Sequence, residues 1–497
     1  MNWFAHEETP PRPAAAAIVL RGDAALLITR NPKLAFMGGH HAFPGGAVEE
    51  EDNAVAVRNA PDPETARYIA AVARETFEET GLLLARGDLP PAGGRAGPRR
   101  ALHEDQRTFA SILSGFGLHL DADDFTGAGL WITPPFSPIR FHTHYLLHHC
   151  RDEAAPSIFE PDSEVVGAEW MGPAEARRRW HTGDGVKLST PVAFALHHLA
   201  ALPLERALPW MRKTPVYDSN APHWFEPRPG IHIVAMRTDT LPPATHTNCI
   251  LVGEQEFYAI DPGASDPEQQ AGLQRVIEHL GVLGGRLKGV LLTHSHGDHV
   301  SAAPMLQREY GVPVYAHAAA AESLPFPVDG HIDDNGVFEC AGAPPWRIRC
   351  LHTPGHDPGH VAFFEESTGT LLCGDLMANP GTVVVAPEYG GDMTAYLDSL
   401  ERLLELPLRF TVPGHGMPSW NNSGKDMLRR LIKHRLDREA RIRGAIEAGA
   451  DTVDAVLETA YDDTPREVWP LARAQLAAHL VRLGVSLRDA NQESAPS

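Results

Sequence analysis

The sequence predicts an α/β protein of several domains, and three observations carry that expectation. Short apolar strands alternate with amphipathic helices along most of the chain, the pattern of sheets layered with helices. At 497 residues the chain exceeds what a single hydrophobic core organises and suggests about three domains. A proline-rich stretch at 203–229, with Pro209, Pro215, Pro222 and Pro227 inside it, interrupts the periodic pattern and reads as a linker between two halves.

In the first half, Ala14 to Leu20 and Ala24 to Thr29 read as strands joined by the turn Arg21-Gly22-Asp23. Phe43-Pro44-Gly45-Gly46 follows, and later Ala73-Arg74-Glu75-Thr76-Phe77-Glu78-Glu79-Thr80-Gly81. On a helix, Glu75, Glu78 and Glu79 stand at i, i+3 and i+4, so three carboxylates share one face and can converge on Mg²⁺ or Mn²⁺, as diphosphate chemistry requires. This segment resembles the R-E-x-x-E-E-x-G core of the Nudix box, and residues 12–202 resemble a Nudix hydrolase domain. The resemblance implies an α/β/α fold, with Arg74 tying the helix back to the preceding loop. The sequence departs from the compact box between Gly46 and Arg74, where Glu64 is the one approximate candidate for the glutamate normally found there. Insertions at this place occur in Nudix subfamilies, including those acting on coenzyme A esters.

The second half begins with the apolar strands Ile231 to Val234, Thr247 to Val252 and Phe257 to Gly263, and Leu287 to Leu292 leads directly into Thr293-His294-Ser295-His296-Gly297-Asp298-His299. Three imidazoles and a carboxylate within six residues suit zinc, iron or manganese. Further donors follow on tight Gly- or Pro-containing turns: His356 in Thr353-Pro354-Gly355-His356, Asp375 in Gly374-Asp375, and His415 in Gly414-His415-Gly416. This ordered set resembles the metallo-β-lactamase-fold hydrolases over residues 230–420. The resemblance implies an αββα sandwich and a binuclear centre of two zinc ions, or iron or manganese. His294, His296 and His356 would hold one metal and Asp298, His299 and His415 the other. Asp375 would bridge them, with a hydroxide between the ions that Asp298, the catalytic residue, orients. His352 and His360 fall outside that set and are expected to be structural, as is Asp261, which the family uses to hydrogen-bond near the H-x-H-x-D-H loop.

Beyond Pro418, residues 425–447, 452–460 and 465–483 read as three helices, followed by a short wing at 484–488. Residues 421–490 resemble the winged-helix extension of the metallo-β-lactamase branch that includes single-strand-cleaving endoribonucleases. The first helix carries Lys425, Arg429, Arg430, Lys433, Arg435, Arg438, Arg441 and Arg443, a stripe that reads either as a solvated face or as a guide for single-stranded RNA. A net charge of −21 argues against a protein that coats nucleic acid. Five scattered cysteines without C-x-x-C spacing argue against a disulfide framework, and Cys373 reads as a small buried hydrophobe. No apolar run reaches the ~18 residues of a membrane helix, and Met1 to Glu8 lacks signal-peptide character, so a cytoplasmic location without membrane partners is expected.

The function expected is metal-dependent hydrolysis of a small-molecule thioester or nucleotide/coenzyme A derivative, or of a phosphodiester in single-stranded RNA, with a second diphosphatase activity in the Nudix half. Two alternatives are a hydrolase regulated by a Nudix domain that only senses a nucleotide or coenzyme A derivative, and a persulfide dioxygenase holding one iron.

Overall fold

The computed structural model describes residues 10–34, 37–133, 139–158, 164–214, 222–342, 344–420 and 423–488. Met1 to Glu8, residues 215–221 of the expected linker and residues 489–490 of the expected C-terminal domain lie outside these. The chain forms two compact units, the second beginning in the main at Gly230.

The first unit is a mixed sheet between two helical layers. Strand Arg12–Arg21 turns back into Ala24–Arg30, with Leu20 opposite Ala25. It also pairs in parallel with Phe141–His149, which in turn pairs with Phe125–Ile132. The run from Ala14 to Leu20 is apolar at every position because both faces are covered. Ala15, Ala17 and Val19 point to a core that includes Ile69, Val72 and Phe77 of helix Pro63–Thr80. Ala16, Ile18 and Leu20 point the other way, to Trp180, Leu196 and Met211 of helices Pro173–Thr182, Thr190–Ala201 and Leu204–Met211.

That last helix and a strand at His223–Arg228 occupy part of the segment expected to be a linker. Proline content misleads here. Pro203 stands at the N-cap, where no amide is needed, and the helix forms despite Pro209 because Ala207 and Met211 bury an apolar face.

Among the described residues the second unit holds two large sheets, beside a small parallel pair of Ala378–Asn379 with His415–Gly416. In one, Ile231–Arg237, His246–Gly253 and Glu256–Ile260 run antiparallel, and Arg286–Leu291, Val314–Ala316 and Gly330–His331 continue in parallel. In the other, Val337–Cys340, Trp346–His352, Val361–Glu365 and Thr370–Leu372 form a meander, to which Phe410–Val412 adds in parallel and Ser419–Trp420 antiparallel. Alternate residues of this meander, Leu351, Ala362, Phe364 and Leu371, pack on Tyr396, Leu397 and Leu400 of helix Met393–Leu404.

The C-terminal helices are Ser423–Glu447, Val453–Ala460 and Trp469–Leu483. Met427, Leu428, Leu431 and Ala478 join the core over the second sheet, while Ile442, Leu457, Leu476 and Leu480 form a smaller core of their own. The expected wing is reduced to one bridge, Thr452 to Arg488.

Candidate metal centre

Strand Arg286–Leu291 delivers the H-x-H-x-D-H loop, and Asp261, just beyond strand Glu256–Ile260, fixes its course. The Thr293 amide donates to Asp261 Oδ1 at 2.8 Å and its hydroxyl to Oδ2 at 2.6 Å. His299 Nδ1 donates to the same Oδ2 at 2.8 Å, which leaves Nε2 with its lone pair available.

Two donor groups gather beyond this anchor. In the first, His294 Nε2 and His356 Nε2 lie 3.0 and 2.9 Å from His296 Nδ1. His356 Nδ1 donates to the Val384 carbonyl at 2.6 Å, so its Nε2 is an acceptor. The Thr293 hydroxyl, already donating to Asp261, accepts from His294 Nδ1 at 2.9 Å, so His294 Nε2 is an acceptor as well. Two lone pairs therefore face one ring nitrogen. Such a cluster fits a cation, whose 2.0–2.1 Å bonds to imidazole would set neighbouring nitrogens about 3.4 Å apart.

The second group is Asp298, His299 and His415. His415 Nδ1 donates to the His246 carbonyl at 3.0 Å, and the Nε2 atoms of His299 and His415 stand 3.4 Å apart. Asp298 Oδ2 is 3.5 Å from His415 Nε2 and 3.9 Å from His299 Nε2. Asp375 lies between the groups, with Oδ1 3.3 and 3.2 Å from His299 and His415 Nε2 and Oδ2 3.7 Å from His356 Nε2. Gly414 makes this approach possible, since a Cβ there would sit 2.2 Å from Asp375 Oδ1.

Electrostatics separate the groups. Burial, with its neighbouring imidazoles, depresses His294 far below the usual histidine range, and burial with His356 depresses His296. Burial acts the same way on His299 and His415 and is the largest single influence, but Asp375 together with Asp261 raises His299, and Asp375 with the His246 carbonyl raises His415. Burial would raise Asp375, yet His415 and His299 hold it well below the usual carboxylate range. The pocket thus holds the Asp375 carboxylate ionised beside imidazoles whose protonated forms it favours, a pairing that a divalent ion would replace.

His360 is fully buried and its Nδ1 pairs with Thr353 Oγ1 at 3.0 Å; burial pushes it down to about 3. His352 stacks on His317 with ring centroids 4.1 Å apart and contacts the Pro358 carbonyl through Nε2 at 3.0 Å. Cys373 is a buried thiol 3.2 Å from the Val412 carbonyl, and all five cysteines are free.

The glutamates of helix Pro63–Thr80 form a separate acidic cluster in the first unit. Glu79 Oε2 accepts the Gly45 amide at 3.0 Å, and Arg74 Nη1 reaches Glu75 Oε1 at 3.0 Å and Glu78 Oε2 at 3.3 Å. A Cβ at Gly46 would lie 2.4 Å from Glu75 Oε1, so glycine lets the loop close over the helix. Burial and the neighbouring Glu75 raise Glu78 to about 7, the same two causes hold Glu79 well above the usual carboxylate range, and burial raises Glu75. Crowded, desolvated carboxylates of this kind fit a divalent cation.

Glu64 is not the acidic partner expected between Gly46 and Arg74. It lies in the first turn of the helix, whereas buried Asp52, on the helical turn Glu50–Ala54, grips Arg74 with two bonds of 2.9 and 3.1 Å. Arg74 also donates to the Ala47 carbonyl at 3.0 Å. The sequence hid this role because Asp52 stands in a run of acidic residues that reads as solvated loop.

The expected RNA partner is not supported. Arg429 pairs with Asp426, Lys433 with Asp437, Arg438 and Arg441 with Asp463, and Arg443 with Glu439, while Arg435 is buried. Most of the stripe is thereby paired within the fold, which leaves few cations for phosphate binding. Among the described residues no helix is long and apolar enough to cross a membrane.

Comparison with known proteins identifies both domains. The Metallo-beta-lactamase superfamily profile matches residues 242–415 and the NUDIX domain profile residues 10–188. The Beta-lactamase-like protein 2 homolog of Drosophila melanogaster is 30% identical over 255 residues, which cover 48% of this chain and 82% of that one. An Atrochrysone carboxyl ACP thioesterase of Aspergillus chevalieri is 28% identical over 234 residues, 45% of this chain and 70% of its own. A Hydroxyacylglutathione hydrolase of Methylococcus capsulatus is 34% identical over 155 residues, 31% of this chain and 55% of its own. The chain therefore belongs to the metallo-beta-lactamase superfamily and carries a NUDIX domain amino-terminal to that fold.

Proposed function

We propose that the second unit hydrolyses a thioester with two divalent cations, zinc, iron or manganese, held by His294, His296 and His356 on one side and Asp298, His299 and His415 on the other, with Asp375 shared. The observation that carries this reading is the Asp375 carboxylate, whose two oxygens face different donor groups. A centre using one iron would leave the second group without a task.

Bound cations of this kind supply a Lewis acid and lower the pKa of water towards 7. The chain's own residues supply the positioning. Asp298 is the more accessible of the two carboxylates, and one of its oxygens would accept a hydrogen bond from the attacking water and aim it. Carbonyl and carboxylate partners at Val384, His246 and Asp261 fix the tautomers of His356, His415 and His299. A thioester suits this machinery because a thiolate, with a pKa near 8.5, leaves without a dedicated acid. The names of two relatives, a thioesterase and a hydroxyacylglutathione hydrolase, point the same way.

The test is the full chain stripped of metal, reloaded with Zn²⁺, Fe²⁺ or Mn²⁺, and assayed on acyl-glutathione, acyl-coenzyme A and bis-p-nitrophenyl phosphate. Thioester turnover that chelation abolishes is expected, and Asp375→Ala should lower it by about 100-fold or more while reducing the metal content. Turnover of the phosphodiester alone would transfer the reading to phosphodiesters, and near-native activity of the Asp375 variant would sink the two-cation assignment.

For the NUDIX domain, we infer a Mg²⁺ or Mn²⁺ site at Glu75, Glu78 and Glu79 that serves diphosphate hydrolysis, supported by the raised, crowded carboxyls. Tight binding of a nucleotide or coenzyme A derivative without turnover would make it a sensor instead.

A further inference from the structure

We propose that Arg435 is a positioning residue for the metal centre, bracing the backbone that orients His356 and the turn that carries Asp375. The proposal rests on the metal-ligand reading of those two residues and goes beyond it, because Arg435 lies on a C-terminal helix outside the sheets that carry the donors.

Arg435 is 2% exposed, and its hydrogen bonds run to neutral acceptors. Nη1 donates to Gln475 Oε1 at 2.6 Å, and Nη2 donates to Thr382 Oγ1 at 2.5 Å and to the Val383 carbonyl at 2.6 Å. Gln475, from helix Trp469–Leu483, adds a 3.0 Å bond to the same Val383 carbonyl. The next carbonyl along, that of Val384, is the one that receives His356 Nδ1. Two helices thus clamp one peptide, and the adjoining peptide sets the ring of a donor histidine.

A second route leads from the same guanidinium to Asp375. Its carbon lies 5.3 Å from the centroid of the Tyr396 ring, and the buried Tyr396 hydroxyl donates to the Leu376 carbonyl at 2.8 Å, one residue past Asp375. Burying a guanidinium against neutral carbonyls is costly. A planar fork that ties helix Trp469–Leu483 to the loop at 382–383 gives that cost a purpose, which the point charge of a lysine would serve less well.

The test uses the full chain and Co²⁺ as probe, with affinity and stoichiometry read from visible absorption during titration of the metal-free protein. Arg435→Met should weaken one Co²⁺ site about 10- to 100-fold, the range for losing a side chain that orients a ligand, and Arg435→Lys should recover part of that loss. Arg438→Met, on the same helix but paired with Asp463, is the control and should bind Co²⁺ as the wild type does. If Arg435→Met does not fold, Gln475→Leu removes a second donor to the same carbonyl and should weaken the site several-fold.

His356→Ala separates the two levels of inference. If it loses a Co²⁺ site while the Arg435 and Gln475 variants bind normally, the bracing role is overturned and the metal centre stands. If His356→Ala also binds Co²⁺ as the wild type does, the centre and the bracing role fall together.

Discussion

Asp52 and Arg74 show what a single buried pair does in this protein. Arg74 is 4% exposed, and desolvation would depress it, yet Asp52 and the glutamates beside it hold its guanidinium firmly protonated. Asp52→Ala should destabilise the first unit by about 3–5 kcal/mol, since it leaves a buried cation without its best partner. Thermal or denaturant unfolding measures this, and Asp52→Asn should cost less by keeping one acceptor. The pair was illegible beforehand because its members are 22 positions apart, and nothing in local spacing marks one acidic residue of that loop over its neighbours. The seven proposed donors could be singled out in the sequence for the opposite reason: close ligand spacing and flanking glycines are features of sequence. Their tautomers could not, because backbone carbonyls at His246 and Val384 fix them and carbonyls carry no residue signature.

Among the elements, helix Ser423–Glu447 departs most from what its composition suggested. Its cations alternate between acidic partners on the surface and the buried position 435, so the helix presents little free positive charge. Activity on a neutral or monoanionic thioester should therefore change less than about twofold between 50 and 300 mM salt, whereas three phosphate contacts on a single strand would give a log–log slope of about −2. A steep slope in initial rates would restore the polymer reading. Helix Pro63–Thr80 was readable in its second half from the acidic i, i+3, i+4 spacing, while its start, capped by Asp62 accepting the Thr65 amide at 2.7 Å, emerged only in the structure. Helix Leu204–Met211 was not, because tertiary packing on the first sheet overrides the two prolines.

At the scale of the whole molecule, the two candidate sites belong to different units, so each should fail alone. Glu79→Gln should abolish Mn²⁺-dependent diphosphate cleavage and leave thioester turnover within about twofold, a comparison made on one preparation. The first unit should also respond to acid. Burial lowers His148 and His198 to about 4, so the folded state prefers them neutral. Their contribution is complete above about pH 6.5 and is lost as the pH falls towards 4, by up to about 3 kcal/mol each. Glu78, raised to about 7, acts in the opposite direction, because it takes up its proton in the folded state first. With Mn²⁺ bound the glutamates stay ionised, and acidification from pH 7 to 5 should lower the unfolding midpoint. With chelator the curve should be flatter, and equal slopes in the two conditions would contradict the carboxylate assignment.

The donors of the metal centre come from the ends of strands in two different sheets: residues 294–299 follow Arg286–Leu291 of the first, and His356, Asp375 and His415 follow strands of the second. A cation held there is a rivet between sheets. Either sheet alone offers only part of the donor set, so most of the binding free energy arrives after the sheets have docked, and a ligand at 100 times its Kd then adds about 2.7 kcal/mol against their separation. On the proposed reading, metal uptake would double as a checkpoint, sealing chains that have finished folding and leaving the rest open to proteolysis.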